Sequence, residues 1–155
     1  MGRQARHMTT LLVLMSLSVI GLGLNLALHI ASLVGGVGVP FELFKWQSLY
    51  LALVLMPAFL IVSFPLKEWW DNKWNIWRFV FRGCPPWMCW VAGGLFAYAV
   101  LQHVFFLGRG GFDHIPRSDT GRVVLEGTSC LAAAFYWMAF AIYWSARNRL
   151  KSRTH

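Results

Sequence analysis

Two histidines, His29 and His103, fall inside long apolar runs of this 155-residue chain. Imidazole can hold a metal or move a proton near neutral pH. His29 stands close to the end of the first run and His103 close to the end of the third. If both runs are helices crossing a membrane in the same direction, the rings lie within about 2 Å of each other in depth, at about 1.5 Å rise per residue. Neighbouring helices pack about 8–10 Å apart, so the diagonal of a bundle is about 11–14 Å. That separation admits an iron held by two imidazoles. A b-type haem with His29 and His103 as axial ligands is therefore the redox alternative. The plainer reading is two histidines hydrogen-bonded inside a bundle, with no cofactor and no metal.

The other reactive side chains point to less chemistry. Cys84 and Cys89 bracket Pro-Pro-Trp-Met, a spacing that matches no CxxC zinc pair, and Cys130 stands far along the chain. Quinone-coupled disulfide-forming membrane enzymes need cysteine pairs in their outer loops, so these three read as free thiols. Asp113-His114 and Ser118-Asp119 are too sparse to define a triad. No Asp, Glu, Lys or Arg occurs within any of the four runs, which argues against a proton-coupled pump or an ion pathway. No catalytic residue is assigned, and a non-enzymatic role is expected.

The elements that must position these residues are the runs themselves: 10–34, 46–64, 87–107 and 128–146. About 20 apolar residues cross a hydrocarbon core as a helix, whose backbone groups are satisfied internally. The chain is 57% hydrophobic and only 13% charged, against about 45–50% and about 25% in soluble domains. The first run is too long for the apolar region of a signal peptide and is read as a retained span. Pro57 should kink the second. Residues 122–125 read as a short strand. The fold class expected is all-α: an integral membrane four-helix bundle forming a single membrane domain.

Charge orients it. Ten of the fourteen Lys and Arg fall at the two ends and in the middle link, with two of the six acids, so one side carries +8 and the other 0. Basic residues stay cytoplasmic, which places both termini in the cytoplasm. The charge borders apolar runs, so no nucleic-acid partner is inferred. In the link, Trp70, Trp74, Trp77 and Phe81 recur at helical spacing beside Asp71, Asn75, Arg78 and Arg82. This pattern predicts an amphipathic interfacial helix over 67–82, lying in the headgroup plane as an anchor between the second and third spans. It could also serve as a docking surface for a lipid or a protein.

Ser18, Gly21, Asn25, His29 and Ser32 form one small, polar stripe on the first span. Such a face belongs against other helices. Tyr98, Gln102 and His103 are its expected partners, and Gly93-Gly94 gives a second point of close approach. The stripe fixes helix register in this reading; the alternatives are a ligand pocket or the wall of a small passive transporter. Membrane lipid is the expected partner, with a protein partner or a homo-oligomer also possible.

Gly83-Cys84-Pro85-Pro86-Trp87-Met88 opens the third span, and Asp119-Thr120-Gly121-Arg122-Val123-Val124-Leu125 follows it. This order resembles a family of uncharacterised small bacterial four-helix inner-membrane proteins. These carry a Gly-Cys-Pro-x-Trp-Met entry to a span and a short Asp-Gly-x-x-Val-Leu segment in an outer loop. The resemblance covers residues 80–145, and Thr120 interrupts the second motif. It implies a multi-pass protein of a bacterial inner membrane and carries over no activity, cofactor or catalytic residue.

Overall fold

The computed structural model describes residues 3–35, 41–63, 81, 83–108 and 120–152. They form four helices: α1 (Arg3–Gly35), α2 (Phe41–Ser63), α3 (Pro86–Gly108) and α4 (Thr120–Ser152). No strand occurs among the described residues. The strand expected at 122–125 is instead the start of α4. With no strand beside it to pair with, the backbone there makes its hydrogen bonds within the helix.

Three helices, α1, α3 and α4, are long and apolar enough to cross a membrane; the apolar part of α2, Trp46–Ile61, is shorter. Both α1 and α4 have 33 residues, about 50 Å at 1.5 Å per residue, which exceeds a hydrocarbon core of about 30 Å. Their polar ends therefore extend past any apolar layer. The last turn of α4 carries Arg149 and Lys151, which suit the negative end of the helix dipole. Of the interfacial segment 67–82 only Phe81 is described; Trp70, Trp74 and Trp77 lie outside the described residues.

The four helices do not share their contacts evenly. α4 packs against all three others and most extensively against α1. The pairs His29–Ser129 and Gly21–Tyr136 run α1 antiparallel to α4. Tyr50–Tyr136 and Tyr143–Val54 run α2 parallel to α4. Trp137–Met88 and Asn148–Gly83 run α3 antiparallel to it. Chain direction thus alternates through the four helices, which puts Arg3 and Ser152 at the same end.

Small side chains make α4 the hub. Ala132, Ala133, Ala134, Ala139, Ala141, Ser129 and Ser145 are all buried, on more than one face of the helix. Without long side chains there, three neighbours can approach its backbone closely. The main core gathers Leu11, Met15, Val54, Ala58, Tyr136 and Tyr143 from α1, α2 and α4.

The Gly-Cys-Pro-Pro-Trp-Met segment docks α3 onto this hub. Cys84 N–H donates to Phe81 C=O at 2.9 Å, and Gly83 has φ +80°, a left-handed conformation that favours glycine. Pro86 then opens the helix, where a missing N–H costs nothing. The Asn148 side chain donates to Gly83 C=O at 2.9 Å, and the Trp137 indole donates to Met88 C=O at 3.0 Å. Trp87 packs on Trp137 with centroids 5.7 Å apart, and Met88 is wholly buried.

Candidate functional site

The five residues of the polar stripe lie on one buried face of α1, as helical spacing requires. Ser18, Gly21, Asn25, His29 and Ser32 are all buried, and together with α2, α3 and α4 they build a seam along the bundle. At one end, His29 Nε2 lies 2.8 Å from the Tyr98 hydroxyl and Nδ1 lies 3.2 Å from Ser129 Oγ. Gln102 donates to the same Tyr98 oxygen at 2.9 Å. Both ring nitrogens of His29 thus have a hydroxyl partner, one donating and one accepting according to the tautomer. The Tyr98 and His29 rings also meet edge to face, with centroids 5.5 Å apart.

One turn further along, Asn25 donates to Gly21 C=O at 2.8 Å and accepts from Gln47 of α2. Tyr50 O–H donates to Leu17 C=O at 2.8 Å. Ser18 and Ser32 donate to the Leu14 and His29 carbonyls of their own helix. Gly21 is the close approach between α1 and α4: a Cβ there would sit 2.4 Å from a carbon of the Tyr136 ring. Gly93 and Gly94, expected to be such a point, face open space. Among the described residues no helix covers that side of α3, and glycine alone brings no neighbour to it.

At the other end, the seam meets the proline of α2. Pro57 has no N–H, which breaks the backbone ladder of the helix interior. The wholly buried Tyr143 hydroxyl enters at this level, donating to Val54 C=O. A side chain of α4 thereby bonds the backbone of α2 one turn before its proline.

His103 stands apart from this network in its own bonding. Its Nδ1 donates to Ala99 C=O of the same helix at 2.8 Å, and its ring lies 3.9 Å from where a Cβ on Gly127 would be. His29 has both nitrogens within hydrogen-bond distance of Tyr98 and Ser129. An iron at His29 would have to displace one of them. Among the described residues, no three His, Cys, Asp or Glu gather into a metal-binding group. All three cysteines are free. Cys84 donates to Ala141 C=O at 3.4 Å, and burial pushes its thiol up to about 11, with Cys89 adding to the effect.

No family model, curated protein or solved structure matches this chain. The seam must therefore be judged by its own chemistry. Its groups are mostly committed to one another or to backbone carbonyls. They can hold helices in register; none is an activated nucleophile or a paired acid and base.

Sequence reasoning named the α1 stripe and Tyr98 but missed Gln47, Tyr50, Ser129, Tyr136 and Tyr143. A signal for part of this was present. Ser129, Tyr136 and Tyr143 recur every seven residues, each followed three residues on by an alanine, Ala132, Ala139 and Ala146, the repeat of a helix packed along another. Hydropathy alone obscures it, because tyrosine and serine in an apolar run lower the average without breaking it.

Proposed function

We propose that this protein is a multi-pass membrane protein that acts by binding, with lipid or a partner protein as its ligand, rather than by catalysis. The observation that carries the reading is the inverted distribution of side chains. Asn25, His29, Ser129 and Ser145 are buried, while Phe59 is 70% exposed, Trp90 80% and Phe105 66%. An exterior of large apolar side chains around a hydrogen-bonded polar interior fits a hydrocarbon surround, where an unpartnered polar group would cost several kcal/mol, roughly 2–7 by reference state. The seam then serves rigidity, leaving the outer surface and the basic end for recognition.

In this proposal all four helices span the membrane, Arg3 and Ser152 lie on the cytoplasmic side, and residues 67–82 form an interfacial helix anchored by Trp70, Trp74, Trp77 and Phe81. The +8 charge at that side supports the orientation. The resemblance noted for residues 80–145 would make the membrane a bacterial inner membrane. Reporter fusions after His155 test the placement: green fluorescent protein should fluoresce and alkaline phosphatase should be inactive. An active phosphatase there overturns the orientation, and release of the chain by alkaline carbonate overturns membrane integration. For the binding role, stripping lipid from the purified protein should lower its thermal stability, and adding membrane lipid back should restore it. Indifference to lipid would leave a protein partner as the ligand.

A further inference from the structure

Near the C-terminal end of α4, two buried donors have no acceptor: Arg147 Nε and Trp144 Nε1. They stand three residues apart on one helix and so share a face. Tyr143 lies against Val54, so one turn further along two parallel helices Arg147 reaches the level of Ala58 on α2. The register of Gly21 on Tyr136 carries the same residue to the level of Thr10 and Leu11 on α1. Arg147 thus occupies the end of the bundle where α1, α2 and α4 meet. Burying an N–H of a cation without an acceptor is costly, because water no longer bonds it.

We propose that Arg147 and Trp144 form a site for the phosphate of an anionic phospholipid. The proposal rests on the membrane reading above and names a ligand for it. Guanidinium is a planar donor suited to two phosphate oxygens at once, and an indole N–H adds a third contact from the same face. Positive charge concentrates at this end, with Arg6, Arg149 and Lys151 on the neighbouring turns of α1 and α4. Basic pockets between membrane helices on the cytoplasmic side take acidic headgroups by this chemistry. A lipid is chosen over free phosphate because exposed apolar side chains stand at the same level to receive acyl chains: Leu12 and Val13 on α1, Phe59 and Leu60 on α2.

The test is native mass spectrometry of the full chain in detergent, titrated with dioleoylphosphatidylglycerol, dioleoylphosphatidylcholine or inorganic phosphate. Phosphatidylglycerol adducts should form at lower concentration than phosphatidylcholine adducts. Arg147→Gln should weaken them about tenfold, the loss of a charge-assisted contact. Trp144→Phe, which keeps the packing, should weaken them by a smaller factor. Arg6→Gln, which removes an exposed charge at the same end, should weaken them by less than Arg147→Gln does. Equal binding of the two lipids, full binding by Arg147→Gln, or inorganic phosphate competing as well as the lipid would each overturn the proposal. Should Arg147→Gln not fold, unchanged lipid binding by Trp144→Phe overturns it. Carbonate extraction of wild type and variants scores membrane integration separately, so failure of this site and failure of the membrane reading are told apart.

Discussion

Replacing Gly21 by alanine asks whether the α1–α4 contact holds the bundle together. The new Cβ would lie 2.4 Å from Tyr136 Cε1 and 2.7 Å from Cδ1 and Cζ. Carbon atoms rest about 3.5–4.0 Å apart, so the ring or the helix must retreat by about 1 Å. The ring is wholly buried and packed against Tyr50 at 5.8 Å. Retreat of α1 would stretch His29–Ser129 and Tyr50–Leu17, which flank the contact. Overpacking of this kind costs about 1–3 kcal/mol. Alanine also gains about 0.8–1 kcal/mol of helix propensity over glycine. Gly23, two residues on, has nothing within 4 Å of its own Cβ position, so Gly23→Ala should show the propensity gain alone. That gain is common to both variants, and the gap between them isolates the clash at about 1–3 kcal/mol. The assay is unfolding in mixed micelles by titration with dodecyl sulfate, followed by circular dichroism. Tyr136→Ala should cost less in the Gly21→Ala background than in wild type, since the two sites touch. Equal stability of Gly21→Ala and Gly23→Ala, or strict additivity with Tyr136→Ala, would refute the reasoning.

Other perturbations read other parts of the seam. Asn25→Leu and Gln47→Leu should each destabilise by about 1 kcal/mol in the same unfolding assay, the scale of interhelical hydrogen bonds in membranes; the double variant should cost less than the sum, and full additivity would mean the pair is not bonded. Cys84, with its thiol pushed up to about 11, should be alkylated slowly at pH 7–8, and its rate should climb about tenfold per pH unit toward pH 11 because only the thiolate reacts; peptide mapping separates it from the exposed Cys89, in denatured protein the rise should level off at lower pH, and fast labelling of Cys84 in the folded chain at pH 7 would contradict this. Purified protein should show no Soret band, since His29 is engaged at both nitrogens; a band lost in both His29→Ala and His103→Ala would restore the haem alternative.

How much was legible in the sequence depends on the range of the interaction that decides each feature. The four helices follow from local facts, namely apolar runs of the right length and a backbone that must bond to itself. The shared face of Ser18, Gly21, Asn25, His29 and Ser32 follows from helical spacing alone, and its burial from the cost of leaving an amide and an imidazole unpartnered in an apolar surround. The tertiary structure decided which neighbour each side chain meets. Tyr98 was within reach of the reasoning, because a polar tyrosine in the third run needs a partner at the depth of His29. Ser129 and Gln47 were not, since a serine and a glutamine at the ends of apolar runs read as readily satisfied by solvent as by a side chain across the bundle. Gly93-Gly94 resembled a close contact and faces open space, whereas Gly21 meets a tyrosine ring. A glycine permits close approach without causing it, and the cause lies in the helix that arrives there. The central position of α4 has the same origin. Its buried alanines and serines suggest nothing by themselves, but they leave room at several faces of its backbone for three apolar helices to pack closely.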